Sequence, residues 1–270
     1  MYTPLYPEQS ISMPHTPPRE LSSILITGAS SGIGRALAIA YAKPGIHLSL
    51  SGRNQQRLNE VAEECRLSGA KTSVDMIDVT DMHEMLKWIT TSDNTHPLDL
   101  VIANAGISAG GGDDIEDNET VRDIFSVNLA GVLNTVLPSI EVMRIRKSGQ
   151  IAIISSMAGF RGLPSAPAYS ASKAAVKAWG EGLRGNLKDH GIKVNVVCPG
   201  FVKSRISDKN SFKMPMLMSA EKAAGIIIRG LKSNKPRIAF PWPIHFFMWL
   251  IALLPPFLSD QVLNKAPRKQ

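Results

Sequence analysis

Leu25-Ile26-Thr27-Gly28-Ala29-Ser30-Ser31-Gly32-Ile33-Gly34-Arg35 is the stretch that decides the fold. An apolar run, Ser23 to Thr27, passes straight into a glycine-rich turn, and the turn passes straight into an apolar-periodic segment beginning at Arg35. Glycines allow positive φ and let backbone N–H groups approach an anion, whose charge the following helix N-terminus favours. Many turns hold two glycines, so position carries the weight: after a strand, before a helix, at the start of the pattern. Gly28, Ser30, Ser31, Gly32, Ile33 and Gly34 are therefore candidate contacts for a dinucleotide pyrophosphate. Three residues separate Gly28 from Gly32 and one separates Gly32 from Gly34, which departs from the common G-x-G-x-x-G spacing.

Working outward, short apolar runs alternate with longer amphipathic stretches, the signature of βαβ units and a parallel sheet. Strands are predicted at Ser23 to Thr27, Ile46 to Ser51, Thr72 to Ile77, Leu98 to Ala103, Gln150 to Ser155, Ile192 to Val197 and Arg237 to Phe240. Helices are predicted at Arg35 to Lys43, Gln55 to Leu67, Met82 to Thr90, Thr120 to Lys147, Ala168 to His190 and Ala220 to Lys232. Runs such as Ile24-Leu25-Ile26-Thr27 and Leu100-Val101-Ile102-Ala103 are continuous rather than alternating, as strands covered on both faces require. The fold class is α/β, a Rossmann-type doubly wound sheet of about seven parallel strands.

The chain has 270 residues, 44% of them hydrophobic and 20% charged, enough for one large domain and too few for two. The expected organisation is a Pro-rich, disordered arm over 1–20, a single dinucleotide-binding and catalytic domain over 21–240, and an apolar and basic extension over 241–270. Cys65 and Cys198 lack metal-ligand spacing and cannot form a disulfide framework, so a reducing, cytoplasmic setting and no metal are expected. The net charge of +7 comes from scattered basic residues without aromatic interleaving, which argues against nucleic acid and leaves cofactor phosphates, anionic substrates or a membrane surface.

At the end of the second strand an acid would bind a ribose 2′-hydroxyl, whereas an arginine would accept a 2′-phosphate. Ser51-Gly52-Arg53-Asn54 offers no carboxylate, and the guanidinium of Arg53 suits a phosphate. NADP(H) is thus expected over NAD(H). Further on, Tyr169-Ser170-Ala171-Ser172-Lys173 places a phenol and an ammonium one helical turn apart on one face. A phenol with a pKa of about 10 is a poor proton carrier at neutral pH, and a nearby cation favours the phenolate. Such a pair arises easily by chance and needs companions.

The companions are present, and with them the sequence resembles the short-chain dehydrogenase/reductase family from residue 21 to about 204. The resemblance rests on Thr27 to Gly34, "DVTD" at Asp78 to Asp81, "ANAG" at Ala103 to Gly106, "VNLAG" at Val127 to Gly131, "ISS" at Ile154 to Ser156, "YSASK" at Tyr169 to Lys173 and "CPGFVKS" at Cys198 to Ser204. It implies hydride transfer between a nicotinamide and a carbonyl or alcohol. Tyr169 would be the general acid/base, Lys173 would lower its pKa and hold the nicotinamide ribose, and Ser156 would polarise the carbonyl oxygen. Ser156 rather than Ser155 has the family's spacing, thirteen residues before Tyr169. Asn128 would anchor a water linking Lys173 to solvent. The resemblance also implies that Asp78 and Val79 meet the adenine, that Asn104, Ala105 and Gly106 lie beside the adenosine ribose, and that Pro199, Gly200, Val202 and Ser204 hold the carboxamide. The family commonly has threonine where Ser204 stands.

By the same resemblance, Phe160 to Pro164 and Phe201 to Met218 would build the substrate pocket. Met214, Met216, Leu217 and Met218 suit an irregular apolar ligand or a packed lid equally. Between Arg237 and Asp260 there is no charged residue, and Ile244 to Leu254 reads as a helix too short to span a bilayer. A helix apolar all round must be buried, pair with another subunit, cover the pocket or meet lipid. Lys235, Arg237, Lys265, Arg268 and Lys269 suit anionic headgroups, a setting peripheral to the membrane. A homodimer or homotetramer is the alternative partner. Two rival functions remain open at this point: a nucleotide-binding regulator without chemistry, and a nucleotide-sugar epimerase or dehydratase, which shares Tyr-x-x-x-Lys but normally carries a larger C-terminal domain.

Overall fold

The computed structural model describes residues 21–108, 116–205, 207 and 214–263. The expected arm over 1–20 and the basic residues after 263 lie outside them. Seven parallel strands form one sheet in the order β3-β2-β1-β4-β5-β6-β7. They are β1 Ser23–Ile26, β2 His47–Ser51, β3 Lys71–Asp75, β4 Leu100–Ala103, β5 Gly149–Ile154, β6 Ile192–Pro199 and β7 Arg237–Phe240. The helices are α1 Gly32–Tyr41, α2 Gln55–Leu67, α3 Met82–Thr95, α4 Asn118–Phe125, α5 Gly131–Ile145, α6 Pro167–Asn186, α7 Ala220–Lys232, α8 Trp242–Leu253 and α9 Pro256–Leu263. This is the doubly wound α/β sheet expected from the sequence.

The sheet is covered on both faces because each strand alternates its side chains between two cores. Ile24 and Ile26 of β1 join a core with Leu37, Leu58 and Ile227 from α1, α2 and α7. Leu25, between them, points the other way and packs with Ile89, Val136 and Val176 from α3, α5 and α6. All three β1 side chains are fully buried. Each such burial contributes roughly 1.5–3 kcal/mol.

Strand β1 pairs with β2 on one side and β4 on the other, so the chain reverses its winding direction there. At such a switch point the loops leaving the two strands diverge and open a crevice at the strands' C-terminal ends.

The boundaries differ from expectation where tertiary contacts override local pattern. Helix α3 continues through polar residues to Thr95, held by Asp93, whose carboxylate accepts from the Leu98 N–H at 2.9 Å and pairs with Arg146 at 2.8 Å. The single helix expected over 120–147 is interrupted by a π-helical segment, Ser126–Ala130. Together Asn118–Ile145 is long and apolar enough to cross a membrane, yet half of its apolar window is buried, and α5 carries Val136, Ile140 and Met143 into the second core. Helix α9 was not foreseen.

Candidate active site

A cavity of about 950 Å³ occupies the crevice at the switch point. Its first wall is the turn after β1. Gly28 and Gly32 have φ of +67° and +55°, and both line the cavity. A Cβ on Gly28 would lie 2.8 Å from Ala105 Cα, and one on Gly32 would lie 2.9 Å from Ser204 Cβ. Gly34 does not line the cavity. A Cβ there would fall 2.4 Å from the Gly28 carbonyl oxygen, so this glycine seats α1 against the turn.

Asn104 holds the turn from the other side, its amide donating to the Thr27 and Gly28 carbonyls at 3.0 and 3.1 Å. Asn54, Asp81 and Asp117 cap α2, α3 and α4 with their side chains. At α1, Ser31 makes no side-chain cap bond among the described residues and the first turn holds no acid. Its N–H groups are thus left for an anion in the cavity. This cradle, which side chains would fill, fits a dinucleotide pyrophosphate.

Ser30, Ser31, Ile33, Arg53, Asp78, Val79, Ala105 and Gly106 line the same cavity. Arg53 is largely exposed and approaches Asp78 at 4.0 Å, a loose pair. Arg57, one helical turn further along α2, also lines the cavity, and its buried Nε has no hydrogen-bond partner among the described residues. Sequence reasoning missed Arg57, although its place four residues after Arg53, in the first turn behind the Asn54 cap, was a usable signal.

The reactive end is built where β5 gives way to a 3₁₀ turn, Met157–Gly159, opposite α6. Ser155 donates to the Lys173 carbonyl at 2.7 Å and is committed to structure. Ser156 accepts from the Ala158 N–H at 3.1 Å and lines the cavity together with Tyr169. Gly159 lets the turn press on α6, since a Cβ would sit 2.8 Å from the Lys173 carbonyl carbon. Lys173 is 4% exposed; its Nζ donates to the Ile154 carbonyl at 3.0 Å and lies 5.8 Å from the Tyr169 ring centre. Burial lowers the Lys173 pKa to about 8. Burial raises the phenol's pKa above its ordinary value and outweighs the opposite influence of the Ser156 hydroxyl. The expected lowering by Lys173 is therefore reversed: removal from water dominates in this cleft.

Asn128 lies beneath the reactive end. It is fully buried and does not line the cavity. Its Oδ1 accepts from the Ile107 N–H at 2.8 Å, and its Nδ2 donates to the Ile107 carbonyl at 2.9 Å and to Ser172 Oγ at 3.1 Å. The amide thus ties the strand-end loop to α6. Gly106 fits between, where a Cβ would lie 3.2 Å from Asn128 Oδ1 and 3.3 Å from Lys173 Nζ. Asn128 positions its neighbours through this side chain rather than presenting it to the cavity.

Pro199, Gly200, Val202 and Ser204 line the far side, and Ser204 is braced by Ser207, whose hydroxyl accepts from the Ser204 N–H at 2.7 Å. Of the two segments expected to bound substrate, Leu163 and Pro164 of the first and Phe201, Val202, Ser204, Arg205, Ser207 and Pro215 of the second reach the cavity. Met214, Met216, Leu217 and Met218 do not. Met218 is held by a bridge to Val202, while Met216 and Leu217 are about half exposed. Ile244, Phe247 and Met248 of α8 and Leu263 of α9 complete the apolar wall. Phe160 and Arg161 attach that wall: Phe160 meets His245 edge to face at 5.3 Å, and Arg161 donates to the buried Ser259 Oγ at 2.5 Å. Among the described residues no group of three or more His, Cys, Asp or Glu could hold a metal.

The family model described as short chain dehydrogenase matches residues 22–214, most of the chain. The chain belongs to the short-chain dehydrogenase family. An uncharacterized oxidoreductase of Myxococcus xanthus is 36% identical over 89% of this chain and 96% of its own length. Among solved structures, a variant of the actinorhodin polyketide ketoreductase with NADPH is similar, with a TM-score of 0.72, 25% identity and coverage of 81% of this chain and 94% of that one. A short-chain dehydrogenase from Mycobacterium paratuberculosis bound to NAD matches with a TM-score of 0.70, 25% identity and coverage of 80% and 94%. The chain is thus an NAD(P)-dependent oxidoreductase of the short-chain family, and its structural neighbours hold nicotinamide cofactors of both kinds.

Proposed function

We propose that this short-chain dehydrogenase interconverts a hydrophobic carbonyl compound and its secondary alcohol with NADP(H), Tyr169 serving as general acid/base. The observation that carries this is that Tyr169, Ser156 and Lys173 line one end of the cavity together, the Lys173 amine 5.8 Å from the Tyr169 ring centre, while a glycine cradle lines the other end. When bound, the reduced nicotinamide supplies a hydride to the carbonyl carbon and leaves as NADP⁺. Tyr169, neutral because burial raises its pKa, donates its proton to the carbonyl oxygen. Ser156 hydrogen-bonds that oxygen and favours the developing alkoxide. Lys173, charged below about pH 8, keeps a cation beside the phenol as it loses its proton.

Selection of NADP(H) falls to Arg53 and Arg57. The orphaned, buried Nε of Arg57 gains a partner when a 2′-phosphate enters, and no carboxylate ends β2 to favour a free hydroxyl. The outer partners suggested by the sequence, a homo-oligomer or a membrane surface, fall to the exposed side of α8 and α9.

The test is consumption of reduced nicotinamide over a panel of apolar ketones, with NADPH and NADH compared, for wild type and Tyr169→Phe. Turnover with NADPH that the substitution lowers by about 10²–10⁴-fold is expected. Activity indifferent to the substitution refutes the role of the phenol.

A further inference from the structure

Helix α8 has two apolar faces, and the fold uses one. Ile244, Met248 and Ile251, spaced four and three residues apart, turn inward; the first two line the cavity and the last is 2% exposed. Phe246, Trp249, Leu250 and Leu253 follow the same spacing on the other side and are 44–63% exposed. Helix α9 repeats the arrangement, with Leu263 inward at the cavity and Phe257 and Leu258 outward. Single exposed apolar side chains are ordinary, but a continuous set on two successive helices marks an interaction surface.

The position of this surface matters as much as its composition. Phe247 lines the cavity while 52% exposed, so one side chain touches both the interior and the outer face. The wall of the substrate cavity and the unpartnered patch are opposite sides of the same two helices.

We propose that the outer faces of α8 and α9 dock on a lipid bilayer bearing anionic headgroups, and that the substrate is a bilayer-dissolved carbonyl amphiphile admitted past Phe247. The proposal takes its chemistry from the hydride-transfer reading above and adds the class of substrate and its source. Three observations select lipid over a second copy of the chain. No charged residue lies between Arg237 and Asp260, whereas interfaces between proteins carry a polar, charged rim. Trp242 and Trp249 are exposed at 75% and 44%, and indole favours the boundary between headgroups and acyl chains. Beyond the acid Asp260, residues 261–270 hold Lys265, Arg268 and Lys269 and no acid, the complement of an anionic surface. Helices of 12 and 8 residues are too short to span a hydrocarbon core and suit lying in its surface.

The experiment uses the full chain with vesicles of phosphatidylcholine, alone and with phosphatidylglycerol, and the double variant Trp249→Glu/Leu250→Glu, whose positions lie outside the cavity. Sedimentation with vesicles and a blue shift of tryptophan emission are read independently of catalysis. Turnover is then measured with a long-chain ketone dissolved in the vesicles and with a short water-soluble ketone. Wild type is expected to sediment, more so with phosphatidylglycerol. The variant is expected to lose binding and turnover of the vesicle-held ketone by about tenfold or more, with the soluble ketone unaffected. Wild type that stays in the supernatant, or a variant that turns over the vesicle-held ketone equally well, overturns the proposal; a dimer that the variant converts to monomer assigns the face to a second copy. Failure of wild type on both ketones, with vesicle binding intact, refutes the hydride-transfer reading and the substrate class together and leaves docking upheld by sedimentation.

Discussion

The two ends of the cavity are built from different materials. The nucleotide end is backbone and short side chains: Gly28 and Gly32 at positive φ, Gly34 packed within 2.4 Å of a carbonyl by any added Cβ, and Asn104 bonding two carbonyls at once. The substrate end is large apolar side chains on α8 and α9, and the ring contact at Phe160 and the hydrogen bond from Arg161 are among the ties that join it to the rest of the site. A wall made of backbone tolerates almost no change, whereas a wall of side chains can be reshaped without disturbing the fold. The first end is suited to a constant ligand and the second to one that varies.

Substitutions should expose that asymmetry. The largest effect is expected at Gly34→Val, where the new side chain meets the Gly28 carbonyl and the Asn104 amide. A loss of about 3 kcal/mol or more in thermal or denaturant unfolding, with nucleotide binding abolished, is the expected outcome. Unchanged stability would mean that the turn is not the rigid end. Next is Arg53→Ala/Arg57→Ala, which should weaken NADPH by about 10–100-fold in a fluorescence titration while leaving NADH nearly unchanged. Equal weakening of both nucleotides would assign the arginines to the shared pyrophosphate instead.

Lys173 sits where the two ends meet. Below about pH 8 the folded and unfolded chains both hold the ammonium, so the folded state bears the full cost of burying it. Between about 8 and the ordinary lysine value of 10.5, the folded chain releases its proton first and stability rises with pH. Lys173→Met, though inactive, should therefore be more stable than wild type by about 2 kcal/mol below pH 8, with the difference closing toward 10.5. A difference independent of pH would show that the amine is not buried. The smallest effect is expected at Phe247→Ala: a rise of about fivefold in KM for an apolar ketone, roughly 1 kcal/mol of lost contact, with NADPH affinity unaltered.

The same asymmetry governs what the sequence conveyed. The nucleotide end was legible because glycine and the strand–turn–helix order report backbone geometry directly. Ser156 could be preferred to Ser155 only through family spacing; nothing local distinguishes two adjacent serines, and the split arises from the reach of Ser155 to the Lys173 carbonyl. Arg57 could have been reached from its place four residues after Arg53, but its unpartnered Nε is a property of burial that residue type does not report. The methionines after Phe201 were a misleading signal. Apolar composition fits a lid or a pocket equally, and in that segment Pro215 lines the cavity while Met218, bridged to Val202, does not. The π-helical segment around Asn128 is likewise invisible to apolar periodicity, which runs unbroken from α4 into α5.

The central claim is that proton transfer at the junction of the two ends depends on one phenol. Rapid mixing of NADPH-loaded protein with saturating ketone, for wild type and Tyr169→Phe, isolates the chemical step from binding. The account expects a hydride transfer slower by about 10²-fold or more in the variant, with NADPH affinity unchanged. Equal single-turnover rates would contradict it.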